Sequence, residues 1–184
     1  EEPVLDAIDA LVESGLGAER RIAGQVLVDF THRKVGDVAY QALAPDWRAR
    51  QHRRLAVALE MQHADNPVIS EIIGEHYLRA GERGKAYRYL ARTSHRLWQR
   101  SMTAEAWKVS ERAVALAESA SEDLPESEFD NARLLLLEVR SYVTYNRGSW
   151  ELAESVLASL HSIANKLGRR TLASETALNR GVAL

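Results

Sequence analysis

The sequence predicts a mainly α-helical chain with one short β-hairpin near its front and stacked antiparallel helix pairs behind it. Three observations carry this. Apolar residues recur at three- and four-residue spacing over most of the 184 residues. The 10 glycines and 4 prolines fall at intervals, as punctuation between helices. Only one run, Val26-Leu27-Val28-Asp29-Phe30, has the β-branched and aromatic density of a strand.

The elements follow in order. Val4, Leu5, Ile8, Leu11 and Val12 lie at helical spacing, and Gly15 with Leu16 behind it closes that helix. The strand covers 24–30, with 20–23 as the hairpin partner. From His32 the period is helical again, through Val35, Val38, Ala39, Ala42 and Leu43. Pro45 opens a further helix, with Trp47, Leu55, Ala58 and Leu59 on it, to about Met61. Asn66-Pro67 is a helix start, a capping residue followed by proline in the first turn. Beyond it the pattern is helical to the end, with breaks near Gly81, Ser101, 121–128, Gly148 and Gly168. The connection from Ser119 to Asp130 carries five acids and no base, and is expected to be an exposed loop.

The breaks repeat. Gly81 precedes Ala86, Ser101 precedes Ala106 and Gly148 precedes Ala153, each by five positions. A tight turn followed by a helix with a small first buried residue lets a neighbouring helix approach closely. Such hairpins cannot bury both faces alone, so they stack into a solenoid.

Composition excludes several classes. Lys plus Arg total 24 against 26 Asp plus Glu, a formal charge of −2, which argues against a globally electrostatic DNA binder. Cysteine is absent, so there is no disulfide framework, zinc finger or thiol nucleophile. No apolar run approaches the ~20 residues that a membrane-spanning helix needs, and no charged-then-apolar leader precedes the first helix. The chain opens Glu1-Glu2-Pro3 without methionine and stops inside a helical pattern at Leu184. It reads as a fragment of a larger cytoplasmic protein, with one part at 1–65 and a helical part at 66–184.

The rear part resembles tetratricopeptide repeats. Ile73-Gly74-x-x-Tyr77, Gly81 and Ala86 match the large-small-aromatic-turn-alanine skeleton of one repeat, and Gly148, Trp150 and Ala153 match part of another. Ser101 and Thr103 depart from the glycine and aromatic usual there. In the front part, Val28-Asp-Phe-Thr-His32-Arg-Lys-Val-Gly-Asp-Val-Ala-Tyr40, followed by the basic stretch Arg48 to Arg54, resembles the end of a winged-helix domain. The likeness is to STAND-type signalling ATPases, including MalT-like and large LuxR-type bacterial regulators. The resemblance implies a partial winged helix followed by a right-handed α-solenoid of tetratricopeptide-like pairs. It also implies an ATP-binding module upstream, with ATP or ADP as cofactor of the parent and none in this segment. His32 falls where relatives carry the histidine of a Met-His-Asp motif, associated with nucleotide phosphates, although Thr31 and Arg33 flank it here.

Chemistry-bearing motifs are few. Gly81-Glu-Arg-Gly84-Lys85-Ala86 fails as a phosphate loop, because position 79 is Arg79, position 86 is Ala86, and the segment lies between helices rather than after a strand. No His-Glu-x-x-His occurs, and Glu60-Met-Gln-His63 has no second copy for a di-iron site, so it reads as a solvated helix face. Glu71 and Glu75, one turn apart, lack a pocket signal. No nucleophile elbow is present. The expectation is therefore no catalytic residue and no metal site.

The unusual charge feature is a stripe at Lys85, Arg88, Arg92, Arg96 and Arg100, with no acid between Glu82 and Glu105. It reads either as a face that is solvated or paired internally to the acidic 122–130 segment, or as a docking surface for an acidic peptide, a domain or nucleic acid. Arg48, Arg50, Arg53 and Arg54 form a second cluster, read as a structural connector. Tyr77, Tyr87, Tyr89, Trp98, Trp107, Tyr142, Tyr145 and Trp150 lie on apolar stripes and are expected mostly in the core.

The function expected is non-catalytic: a protein-interaction or effector-sensing segment of a bacterial regulatory ATPase, in signal transduction or transcription control. Its partners would be a protein, a peptide, another domain of the parent or a small effector, with no membrane partner. The rival class is a nucleic-acid-binding protein using the winged helix and basic helices.

Overall fold

A computed structural model describes residues 2–22, 25–63 and 66–183. Among them are ten helices and one antiparallel hairpin. In order they are α1 (Glu2–Glu13), β1 (Gly17–Ile22), β2 (Gln25–Phe30), α2 (Arg33–Ala42), α3 (Pro45–His63), α4 (Pro67–Arg79), α5 (Arg83–Gln99), α6 (Thr103–Val114), α7 (Ala117–Asp123), α8 (Glu126–Asn146), α9 (Trp150–Lys166) and α10 (Arg170–Ala183). Glu1, Ala23, Gly24, Ala64, Asp65 and Leu184, included in the expected spans, lie outside the described residues. No helix among the described residues is long and apolar enough to cross a membrane.

The chain divides into two compact units, Glu1–Arg48 and Ala49–Leu184. The division falls inside α3, whereas the sequence placed it at 65/66. The reason is Ala56, fully buried with Ile73, Tyr77, Ala86 and Tyr89, which ties most of α3 to the helical unit.

The first unit is a helix, a hairpin and a helix. Gly15, at φ 71°, ends α1, and the hairpin pairs Glu19 with Val28 and Arg21 with Val26. Thr31 closes the unit, its hydroxyl donating to the Gly15 carbonyl at 2.8 Å and its N–H to Leu16 at 3.0 Å. The apolar residues expected on strand and helix are largely open here: Val26, Leu27, Val28, Phe30 and Val38 are all exposed, and α2 buries none of its residues.

The second unit rests on one turn used four times. At Gly81, Ser101, Gly148 and Gly168 the chain takes a positive φ of 81°, 63°, 68° and 69°. At each, two crossed amide bonds close the helix: from Gly81 to Leu78 and Glu82 to Tyr77, Ser101 to Trp98 and Met102 to Leu97, Gly148 to Tyr145 and Ser149 to Thr144, Gly168 to Asn165 and Arg169 to Ala164. This paired closure satisfies carbonyls that the helix end leaves orphaned. Five residues after each turn residue stands an alanine: Ala86, Ala106, Ala153 and Ala173, all buried. Three of these units were legible as a repeat. The fourth, Gly168 to Ala173, was marked in the sequence only as a break.

Helix α4 packs on α5, α5 on α6, α7 and α8, α6 on α8, α8 on α9, and α9 on α10. The 119–130 segment is not an exposed loop. Its acids lie in helices instead: Glu122 and Asp123 end α7, and Glu126 and Glu128 stand in the first turn of α8 behind Pro125, where negative charge favours the helix dipole. Tertiary contact holds the segment down. Phe129 stacks on Tyr87 at 5.2 Å, and a Cβ at Gly84 would lie only 2.8 Å from Asp123 Cβ and Leu124 Cγ.

Because Ala86 and Ala153 are fully buried at helix starts, Ala86→Leu and Ala153→Leu should each cost about 1–3 kcal/mol by overpacking. Urea unfolding checks this. A wild-type midpoint for both variants would refute the proposed turn–alanine register.

Candidate functional site

The cationic stripe, on α5 and its C-cap Arg100, is divided among different neighbours. Each four-residue step along a helix advances about 40°, so the stripe winds and its members meet different neighbours. Lys85 pairs with Glu82 at 2.8 Å and lies over the Tyr77 ring. Arg88 bridges two elements, donating to Glu60 on α3 at 3.0 Å and to Glu128 on α8 at 2.8 Å. Arg96 donates to Ser70 on α4 at 3.1 Å. Arg92 and Arg100 are exposed and neither has a carboxylate partner among the described residues. The internal pairing expected toward the acidic 122–130 segment therefore holds at Arg88 alone.

Glu60 is the hub that sequence reasoning missed. Far from lying on a solvated helix face, its carboxylate accepts from Tyr77, from Tyr89 at 2.7 Å and from Arg88. The signal was available: Tyr77 and Tyr89 are core aromatics with polar tips, and such hydroxyls need a partner. Glu60, one turn from buried Ala56, points at them. Burial is the largest influence on Glu60 and pushes its carboxyl upward. The hydrogen bonds from Tyr77 and Tyr89, with the charges of Arg88 and Lys85, outweigh it and hold the group below its ordinary value. Burial and the same carboxylate raise the Tyr89 phenol to about 12.

A trough runs along α5 and α8 toward α10. Its first section, about 390 Å³, is lined by Arg88, Arg92, Leu134, Leu135 and Arg169 among others. A second, about 750 Å³, shares Leu134, Leu135 and Arg169 with it and adds His95, Trp98, Glu138 and Leu172. A third, about 310 Å³, shares Trp98, Glu138 and Leu172 and adds Tyr142, Leu157 and Leu160. Sequence periodicity placed Tyr142 on an apolar stripe but did not single out Arg169 or Arg170. An available sign was that no acid stands between Glu154 and Glu175. Of the expected core aromatics, Tyr77, Tyr87 and Tyr89 are buried, whereas Tyr142 and Trp150 are about half exposed.

His32 occupies the N-cap of α2 in the first unit, in extended backbone, and its side chain is exposed and makes no capping hydrogen bond. The junction geometry expected for it is present. Gly84, in the sequence that fails as a phosphate loop, donates its N–H to Asp123 at 3.3 Å, so a carboxylate already takes that amide. Arg53, of the second basic cluster, pairs with Glu82 at 2.7 Å. Glu71 and Glu75 share the guanidinium of Arg112. No group of three or more metal-ligating side chains occurs among the described residues.

His52 and His76 face each other at 2.8 Å between Nδ1 atoms, with rings stacked at 5.0 Å. One Nδ1 must donate and the other accept, so a second proton breaks the bond. Burial, then the Arg79 charge, lower His76 below 6.5, against a smaller upward pull from Glu75. A histidine with a lowered folded-state value binds fewer protons folded than unfolded. Its contribution is present above about pH 6.5 and is lost as pH falls through the folded value. Stability should thus decline from neutral pH toward about pH 5, and more shallowly in His76→Gln. Equal slopes in chemical-denaturation series of the two proteins would assign the decline to other groups.

Comparison of the chain with protein-family models, with curated proteins and with solved structures found no match.

Proposed function

We propose that the chain is a non-catalytic interaction and effector-sensing segment of a cytoplasmic regulatory ATPase of the STAND type. In this reading the helix–hairpin–helix of the first unit is the end of a winged helix, and the second unit is a right-handed, tetratricopeptide-like solenoid. The single observation that carries it is the fourfold turn. Four positive-φ closures, each followed by a buried alanine five residues on, support reading the helical unit as a tandem array of one hairpin design. Arrays of this kind present extended surfaces to partners. The segment needs no cofactor; ATP or ADP belongs to the parent's upstream module. A ligand on the helical unit that favours one position of the winged helix would then bias the ATPase between resting and active states.

His32 is the residue that would report nucleotide. An N-cap imidazole beside the free amides of α2 suits a phosphate. In the parent protein, His32→Ala should weaken ADP retention and raise basal output. The isolated chain should bind neither ADP nor, with salt-steep affinity, duplex DNA. Unchanged ADP retention and output in the variant would remove His32 from signalling. Tight, salt-steep DNA binding would favour the nucleic-acid rival.

A further inference from the structure

We propose that the α5–α8–α10 trough binds an acidic peptide segment of another protein, with carboxylates at Arg92, Arg169 and Arg170 and an aromatic or leucine side chain against Trp98, Tyr142 and Leu172. This deepens the interaction reading above by naming the surface and the chemistry of its partner.

Charge decides the occupant at one end. Arg92, Arg169 and Arg170 are exposed and lack carboxylate partners among the described residues. Of the acids near them, Glu128 pairs with Arg88 at 2.8 Å, and Glu138 lies 3.1 Å from the His95 imidazole, which neutralises it only when protonated. No acid stands between Glu82 and Glu105 on α5, or between Glu154 and Glu175 on the approach to α10. Arg88, Arg92, Arg169 and Arg170 line this end against Glu128 and Glu138, so its lining is net positive although the chain as a whole carries −2. Attraction of an acidic segment is local.

The other end is apolar and aromatic. Trp98 and Tyr142 meet at 5.6 Å with their rings tilted, and Tyr142 is 46% exposed, an open ring beside Leu157, Leu160 and Leu172. Such rings make rigid anchors. Glu175 lines this end and Arg170 the middle section, so the trough is polarised and an acidic peptide would enter in one direction. Along α8, the lining runs from Glu128 to Asn146. That is about 27 Å at 1.5 Å per residue, enough for about eight extended residues. Duplex DNA would need positive charge along its whole path, and here the charge stops at the aromatic end.

The test uses the full chain and an array of eight-residue peptides that vary independently in glutamate content and in a single terminal phenylalanine. Retention should rise with glutamate content, require the phenylalanine and weaken as salt rises. Arg92→Gln with Arg169→Gln should weaken binding of the best peptide by about tenfold or more, and Tyr142→Ala by about fivefold. Unchanged circular dichroism and urea midpoints would show that the variants are folded. Retention of no glutamate-rich peptide, retention indifferent to peptide charge, or equal affinity in folded variants and wild type would overturn the proposal. So would displacement of every peptide by duplex DNA. Unchanged ADP retention and output in His32→Ala, with trough-dependent peptide capture intact, would count against the ATPase reading alone and leave the trough standing.

Discussion

Tyr77→Ala should lower the stability of the helical unit by about 3–5 kcal/mol, the range for deleting a large buried aromatic. Tyr77 is fully buried between α3, α4 and α5, in one cluster with Ala56, Ile73, Ala86 and Tyr89. Its ring stacks near Tyr89 at 5.9 Å, and its hydroxyl donates to Glu60. Truncation removes all three contributions. Tyr77→Phe separates them: the ring stays and only the hydrogen bond goes, at about 1–2 kcal/mol. Glu60 keeps Tyr89 and Arg88, so its charge is not stranded. Urea unfolding at neutral pH, with the slope unchanged, measures both. Equal losses in the two variants would show that the polar hub, not the ring, dominates. Near-zero losses in both would refute the burial of this side chain.

Arg88→Glu should be the most disruptive change on the cationic stripe, at about 2–4 kcal/mol. Breaking a buried pair costs more, and the partial exposure of Arg88, 24% at its side chain, brings the value down. The variant sets a third carboxylate against Glu60 and Glu128, which Arg88 now joins across α3, α5 and α8. Arg92→Glu, one turn on, should change stability by no more than about 0.5 kcal/mol, as surface substitutions do. Glu128→Arg in the Arg88→Glu background should recover part of the loss by restoring an opposite pair. A triple reversal of Arg88, Arg92 and Arg96 would then be dominated by Arg88. Matching losses for Arg88→Glu and Arg92→Glu would contradict the division of the stripe into paired and free cations.

The elements were legible because their signals are local. A helix declares itself through its own three- and four-residue period, and the turns through glycine followed by a small residue. The strand over Gln25–Phe30 and its partner Gly17–Ile22 stand where the β-branched run suggested, the partner being longer than the 20–23 expected. The 119–130 segment was misread for a physical reason. Acid-rich sequence describes both a solvated loop and the first turn of a helix, and the difference lies in Phe129 and Leu124 meeting α5.

By itself the sequence determined the helical class, the hairpin, the placement of His32 at a strand-to-helix junction and three of four turn–alanine units. Tertiary structure alone decided what the charges do. Arg88 finds Glu60 from 28 residues away and Glu128 from 40, so no local pattern could mark it as paired while Arg92, over the Tyr89 ring, has no carboxylate partner among the described residues. The same packing lines up Arg92, Arg169, Trp98 and Tyr142 along one trough, from α5, α8 and the turn before α10. Helix period sets which face a residue occupies; only the neighbour packed against that face decides whether its charge is satisfied.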